Sequence, residues 1–300
     1  LGELVALLFY LNYFFAPLIQ LSFNYDLLRS AGSSMKKVFS ILDEDPVLST
    51  LGSQSPNMES NDVIKFENVS FSYGRETVLH NLNFSIMKGE KIAIVGETGA
   101  GKSTIAKLIL RFYLSTEGDV KFYNQSSKEV SQRWARKNIA YVPQESFLFR
   151  GSIRDNLIYS NPKKIKLEQE LNEIGVLGWF DRYENGLDQE VGERGSNVSA
   201  GERQFIALLR AVLAKREIIV FDEATANLDI ESENSILEAT DTLLDYQTSI
   251  VIAHRLETIL NAEKILVMRD GKLVGFDNHE NLLSDNEIYK DLFSAWNLSS

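Results

Sequence analysis

The 300-residue sequence contains no cysteine. That absence excludes disulfide bonds, thiolate nucleophiles and cysteine-ligated zinc or iron–sulfur sites, and it suits a reducing compartment. Histidine is nearly as scarce. His80, His254 and His279 are too few and too scattered to form a metal-binding cluster. Positive charge is also in deficit: 31 Lys and Arg against 42 Asp and Glu leave a formal net charge of −11. Nucleic-acid-binding domains usually carry a basic face, so no nucleic-acid partner is expected. Neither an internal repeat nor a low-complexity tract is present. What remains is ordinary for a folded protein: 44% apolar and 24% charged residues, on a chain long enough for one large domain or two smaller ones. The chain begins at Leu1 instead of Met, which reads as a piece of something longer.

Charge is missing altogether from Leu4 through Tyr25, "LVALLFYLNYFFAPLIQLSFNY". A stretch of that length can cross a hydrocarbon layer. A signal peptide would need a basic start and a small-residue cleavage site, and neither is there. A buried core helix is the other reading, and Asn12, Gln20 and Asn24 fit it; the same polar groups also suit a helix lining a polar path within a membrane bundle. Arg29, Lys36 and Lys37 follow the stretch, which puts its C-terminal side in the cytoplasm by the positive-inside tendency. Apolar residues at Leu27, Leu28, Ala31, Met35, Val38 and Ile41 continue a helical period outward. The expected organisation is therefore a transmembrane helix with its cytoplasmic extension over 1–42. A Pro-, Gly- and Ser-containing linker over 43–62 follows, and then a globular domain over 63–300.

Within that domain, "VGETGAGKSTIAKLIL" (residues 95–110) follows the strand-like run Lys91–Val95. Gly96, Gly99 and Gly101 allow a turn in which successive backbone N–H groups converge on one anion. A helix starting near Lys102 aims its positive dipole end at the same point, Lys102 adds a point charge, and Ser103 offers a hydroxyl suited to Mg²⁺. The spacing is that of a nucleoside triphosphate cradle.

Strand-like runs before the loop, with Leu82, Phe84 and Ile86 alternating, read as hairpins. After it, "NIAYVPQ" (138–144), "EIIVFDE" (217–223) and "SIVIAHR" (249–255) read as further strands, with a mainly helical insert at 151–215 between the first two. "KILVMRDGKLVGF" reads as a hairpin with Asp270-Gly271 at its tip. Alternating strands and helices imply an α/β core with its ligand at the strand C-termini. Asp222 and Glu223, at one such strand end, suit a metal holder and a group that polarises the attacking water; adjacent acids there are also a common helix N-cap. His254 could meet the γ-phosphate, or be an interior histidine. Gln144 could reach the metal through its amide oxygen.

"SAGERQFIALLRAVL" (199–213), "IIVFDEATANLD" (218–229) and "IVIAHR" (250–255) resemble the signature, Walker B, D-loop and H-loop series of the ATP-binding cassette (ABC) ATPases. "GETGAGKST" stands as Walker A, "YVPQ" as Q-loop and Tyr73 as A-loop, so the series is complete and in order over about residues 63–290. "EVGERG" (190–195) resembles the X-loop of exporters, and the N-terminal apolar stretch resembles the last transmembrane helix of an exporter half-transporter. The resemblance implies a P-loop NTPase α/β core with an antiparallel β subdomain and a helical subdomain, preceded by one transmembrane helix. It implies an ATPase that couples ATP hydrolysis to export of a hydrophobic or lipid-like substrate, with ATP and Mg²⁺ as cofactors. Tyr73 should stack on adenine, although a core-facing strand aromatic is the plainer reading of the residue alone. Gly96, Glu97, Thr98, Gly99, Ala100, Gly101, Lys102, Ser103 and Thr104 should wrap the phosphates. Ser103, Gln144 and Asp222 should hold Mg²⁺, partly through water. Glu223 should act as general base and His254 should bind the γ-phosphate. Ser199, Gly201 and Glu202 should act on the ATP of a facing cassette, so the implied partner is a second half-transporter, identical or different. The implied location is the cell (inner) membrane, with the ATPase domain cytoplasmic, in contact with membrane lipid and a transported small molecule.

Two motifs depart from the family pattern. Val198-Ser199-Ala200-Gly201-Glu202 replaces Leu-Ser-Gly-Gly-Gln, which adds a methyl group and exchanges an amide for a carboxylate. The D-loop reads Ala226-Asn227-Leu228-Asp229 where Ser is usual at its start. Both changes leave a heterodimer open. Against a DNA-repair or chromosome-structure cassette stand the acidic charge, the apolar start and the exporter-like X-loop. Against a non-hydrolysing regulatory cassette stand Lys102, Glu223 and His254.

Overall fold

The structure, a computed structural model, describes residues 2–43, 52–159, 166–222, 247–253 and 256–299. It divides into two units, residues 1–50 and 51–300.

The first unit is one helix, α1 (Gly2–Leu42), 41 residues long. At 1.5 Å per residue it extends about 60 Å. None of its residues is buried, Pro17 lies inside it, and its most apolar 18-residue window has a mean hydropathy of 1.8. By length and composition it can cross a membrane. Proline is tolerated inside such helices better than in soluble ones, because neighbouring groups satisfy the freed carbonyl.

The second unit is built on two main sheets. β1 (Asp62–Tyr73) and β2 (Glu76–Met87) form a long hairpin, which β4 (Glu117–Phe122) and β5 (Gln125–Ser126) extend into the antiparallel order β2-β1-β4-β5. The expected alternation holds along β2, where Leu82, Phe84 and Ile86 are buried. The larger sheet comprises β3 (Lys91–Gly96), β6 (Ile139–Val142), β9 (Ile218–Asp222), β10 (Thr248–Ile252), β11 (Lys264–Arg269) and β12 (Lys272–Asp277). Its order is β12-β11-β3-β10-β9-β6, parallel except for the edge strand β12. β3, β9 and β10 are short and almost wholly buried, as strands covered on both faces must be. The β11–β12 hairpin turns on Asp270 and Gly271, both at positive φ, as a two-residue turn with this twist requires.

Among the described residues of this unit the helices are α2 (Lys102–Ile109), α3 (Gln132–Asn138), α4 (Ile153–Ile158), α5 (Leu167–Glu173), α6 (Ala200–Leu213), α7 (Leu256–Leu260), α8 (His279–Asp285) and α9 (Glu287–Ser299). The stretch expected to be helical holds α4, α5, three short 3₁₀ segments and α6, together with the two-stranded ribbon of β7 (Gly151–Ser152) and β8 (Glu190–Val191). One apolar cluster joins the antiparallel sheet, α2 and one face of the larger sheet, with Phe66, Phe122, Ile105 and Val220 among its members. A second joins α4, α5 and α6 to the opposite face through Leu157, Leu171, Phe205 and Phe221. The fold is thus a mixed α/β fold whose parallel strands end on one common edge.

Candidate nucleotide site

The turn after β3 is forced by two contacts. Gly96 has φ +148°, and a Cβ there would lie 2.2 Å from the Met268 carbonyl oxygen. Gly101, at φ +97°, caps α2; a Cβ there would lie 2.6 Å from Leu79 Cδ2. Only glycine fits both places. With β11 below it and β2 beside it, the loop has little freedom to rearrange.

Lys102 is 6% exposed. Its ammonium folds back over the turn and donates to the carbonyl oxygens of Gly96 at 2.7 Å and Glu97 at 2.9 Å. The cavity at the loop is about 240 Å³ and is lined by Val78, Thr98, Gly99, Gly101, Lys102, Ser103 and Thr104. Sites for drug-sized ligands run roughly 300–1,000 Å³, so this one suits the phosphate end of a nucleotide. Ser103 is exposed at the first turn of α2, and Thr104 is buried. An anion here would meet the helix N-terminus, Lys102 and the loop amides together.

The other candidates lie along the same strand-end edge. Ile252 of β10 is opposite Ile94 of β3 on one side and opposite Asp222 of β9 on the other. Asp222 therefore stands level with Ile94, two residues before the loop begins at Gly96, and two strands away from it, or about 10 Å at the usual strand spacing. Val142 of β6 pairs with Phe221, and exposed Gln144 comes two residues after it, in a bend beyond the strand. Asp222 is half-buried and accepts a hydrogen bond at Oδ2 from the Tyr141 hydroxyl at 3.2 Å. Burial, the Asp222 charge and this bond push the Tyr141 phenol up to about 12. Glu223, His254 and the D-loop Ala226–Asp229 lie outside the described residues.

Tyr73 ends β1, and its half-buried ring stands edge-on to Phe71 at 4.8 Å and Tyr113 at 5.2 Å. Lys107 of α2 lies 5.5 Å from its ring centroid, within cation–π range. The hairpin carrying Tyr73 also carries Val78, so the aromatic and the phosphate cavity share one support. The Gly271 carbonyl, at the β11–β12 turn, accepts the His80 N–H at 2.9 Å and fixes that support.

Ser199 is the N-cap of α6, within a complete capping box. Its Oγ accepts the Glu202 N–H at 3.1 Å, while the Glu202 carboxylate accepts the Ser199 N–H at 2.7 Å. Burial pushes the Glu202 carboxyl up, but the Ser199 N–H, the Tyr183 hydroxyl and the Arg182 charge outweigh it and hold the group below its ordinary value. Ser199 and Ala200 are exposed, and Gly201 is partly exposed. Arg203 donates to the carbonyl oxygens of Gly195 and Val198, at 3.2 and 2.7 Å, which ties the 190–195 stretch to the start of α6.

The structure thus brings the loop residues, Asp222 and Gln144 to one edge, with Tyr73 beside Lys107 of α2, the helix that follows the loop, whereas Ser199, Gly201 and Glu202 head α6 in the helical part. Sequence reasoning missed Tyr141, Lys107 and Tyr113. None of the three carried a local signal, because each meets its partner only through the fold.

A family model described as "ABC transporter" matches residues 79–226. The chain is 38% identical over 298 residues to "Uncharacterized ABC transporter ATP-binding protein YknV" of Bacillus subtilis (strain 168), covering 98% of this chain and 49% of that one. It is 36% identical over 296 residues to human "ATP-binding cassette sub-family B member 6", covering 97% of this chain and 35% of that protein. It is 37% identical over 266 residues to the "ATP-dependent lipid A-core flippase" of Desulfotalea psychrophila, covering 87% and 46%. Among solved structures, "Structure of a bacterial Atm1-family ABC exporter with ATP bound" matches with a TM-score of 0.79 and 34% identity, over 98% of this chain and 52% of that one. The chain spans about half the length of the bacterial relatives and about a third of the human one.

Proposed function

The chain carries an ABC transporter ATP-binding domain, and from that premise we propose that it is the C-terminal, ATP-hydrolysing portion of an exporter half-transporter. The observation that carries the reading is the loop of residues 96–104, where a buried lysine and a helix N-terminus converge on a phosphate-sized cavity. On this reading α1 spans the membrane, residues 63–300 form the cytoplasmic cassette, and the whole protein sits in the cell (inner) membrane. The cargo is a hydrophobic or lipid-like molecule; the similarity to a lipid A-core flippase supports that class.

The binding steps follow from the residues. The loop amides and Lys102 take the phosphates, and Tyr73 offers its ring to the adenine. Ser103, Asp222 and Gln144 are hard oxygen donors of the kind Mg²⁺ takes alongside substrate phosphates, so they fit that ion. Bound there, Mg²⁺ would neutralise charge on the phosphate oxygens. Glu223 serves as general base for the attacking water, and His254 contacts the γ-phosphate. Ser199, Gly201 and Glu202 complete the site of a second cassette, so the working unit is a dimer of half-transporters. Because the Glu202 carboxylate is engaged by the Ser199 N–H, its charge is partly compensated and does not by itself bar the γ-phosphate from Ser199.

The test is ATP binding and phosphate release by the chain in detergent, with and without Mg²⁺. Saturable binding with Mg²⁺-dependent release of phosphate is expected; binding without release would favour a regulatory cassette.

A further inference from the structure

We propose that Tyr141 is a positioning residue for Asp222, fixing the carboxylate so that nucleotide gains its full affinity from Mg²⁺. The proposal rests on the reading above, in which Asp222 is one of the oxygen donors that hold Mg²⁺. β6 is the edge strand of the large sheet, and Tyr141 lies opposite Val220 of β9. Residues i and i+2 of a strand share a face, so a side chain at 141 leaning along the strand reaches 222. It does so: the hydroxyl donates to Asp222 Oδ2 at 3.2 Å.

The ring is held from the other side as well. It packs on the core shared by both sheets, and it stands edge-on to Phe112 at 6.2 Å, with an interplanar angle of 89°. Phe112 follows α2, the helix that begins at the phosphate loop. One phenol therefore links the end of the loop helix to the acid at the end of β9. Hydrogen bonds to ionised groups are stronger than neutral ones. Partners of this kind tune metal sites without touching the metal.

The variant that tests this is Tyr141→Phe, which keeps the ring, its packing and its edge contact while removing the donor. Binding of the non-hydrolysable analogue AMP-PNP to the full chain in detergent is measured by calorimetry with excess Mg²⁺ and again with EDTA. In the variant, affinity with Mg²⁺ should fall about three- to tenfold, from losing one hydrogen bond to a charged group partly replaced by water, while affinity in EDTA stays unchanged. Two results would overturn the proposal. One is an undiminished gain from Mg²⁺ in the variant. The other is a parallel loss of affinity in EDTA, which marks Tyr141 as merely structural. If the wild-type chain itself gains nothing from Mg²⁺, it is the reading of Asp222 as a metal holder that fails.

Discussion

Ser199 and Glu202 hold each other at the start of α6: the serine oxygen accepts the Glu202 N–H at 3.1 Å, and the Glu202 carboxylate accepts the Ser199 N–H at 2.7 Å. With its lone pair engaged by an amide, the Ser199 hydroxyl can direct its hydrogen outward. Losing a cap of this kind typically costs about 0.5–2 kcal/mol. Glu202→Ala should therefore lower the unfolding free energy by about 1 kcal/mol, whereas Glu202→Gln, which keeps an acceptor, should cost clearly less. Thermal melts of both variants beside the parent check the order; equal losses would show that the reciprocal bond contributes nothing.

The same pair has a pH signature. The Glu202 carboxyl is held below its ordinary value in the folded state, so its stabilising contribution is full above the unfolded pKa of about 4.3. It is lost as pH falls through the lower folded pKa. Glu202→Gln should remove this part of the acid sensitivity. The stability difference between parent and variant should shrink between about pH 5 and pH 3, as measured by denaturant titration; a constant difference would contradict the assignment.

Lys102 is buried, and its ammonium donates to the carbonyl oxygens of Gly96 and Glu97. Lys102→Ala removes a charge-assisted contact worth about 1.5–3 kcal/mol to bound phosphate. ATP affinity in the detergent-solubilised chain should fall roughly tenfold to a hundredfold, by direct binding measurement. Parent-like affinity would remove the loop from the site.

At Gly96 the argument is steric. A methyl group would be driven to 2.2 Å from the Met268 carbonyl oxygen, a backbone atom that cannot swing aside, at a φ that L residues seldom adopt. Gly96→Ala should lower the melting temperature by several degrees, as a loss of about 1–3 kcal/mol would, and weaken ATP binding with it. Gly99→Ala meets no atom within 4 Å, so it should cost stability only through its positive φ and serves as the matched control.

What was legible in the sequence follows from how locally each feature is encoded. The phosphate loop could be read because its glycines, lysine and hydroxyls are contiguous, and because the strand before it and the helix after it carry their own patterns. Asp222 could be read because a β-branched run ending in an acid marks the exit of a buried strand. The tyrosine donor to that acid could not, since it lies 81 positions away and only the pairing of β6 with β9 brings the two together. Tyr113 and Lys107 beside Tyr73 were hidden for the same reason. At Glu202 the local signal was present but passed over. Ser-x-x-Glu before an apolar run is a capping box, whereas comparison with the family pattern made the glutamate look only like a departure.

The last prediction concerns Glu223, on which the hydrolytic reading depends. A general base acts in the chemical step, so its loss should leave ground-state ATP binding nearly intact and slow turnover about 10²–10⁴-fold. Glu223→Gln keeps size and hydrogen bonding but removes the charge that accepts the proton. With ATP bound and uncleaved, the γ-phosphate stays available to the Ser199 hydroxyl of a facing cassette, and association should outlast the brief pairing of the parent. Size-exclusion chromatography of the detergent-solubilised chain, with and without ATP, should show a nucleotide-dependent dimer in the variant, and a phosphate-release assay should show hydrolysis nearly stopped. Hydrolysis at the parent's rate would mean that another group activates the water. Stalled hydrolysis without a dimer would point to the exposed Ser199–Ala200–Gly201 face. The added Ala200 methyl would then be the element that a second copy of this chain cannot accommodate, and a different cassette would be the natural partner.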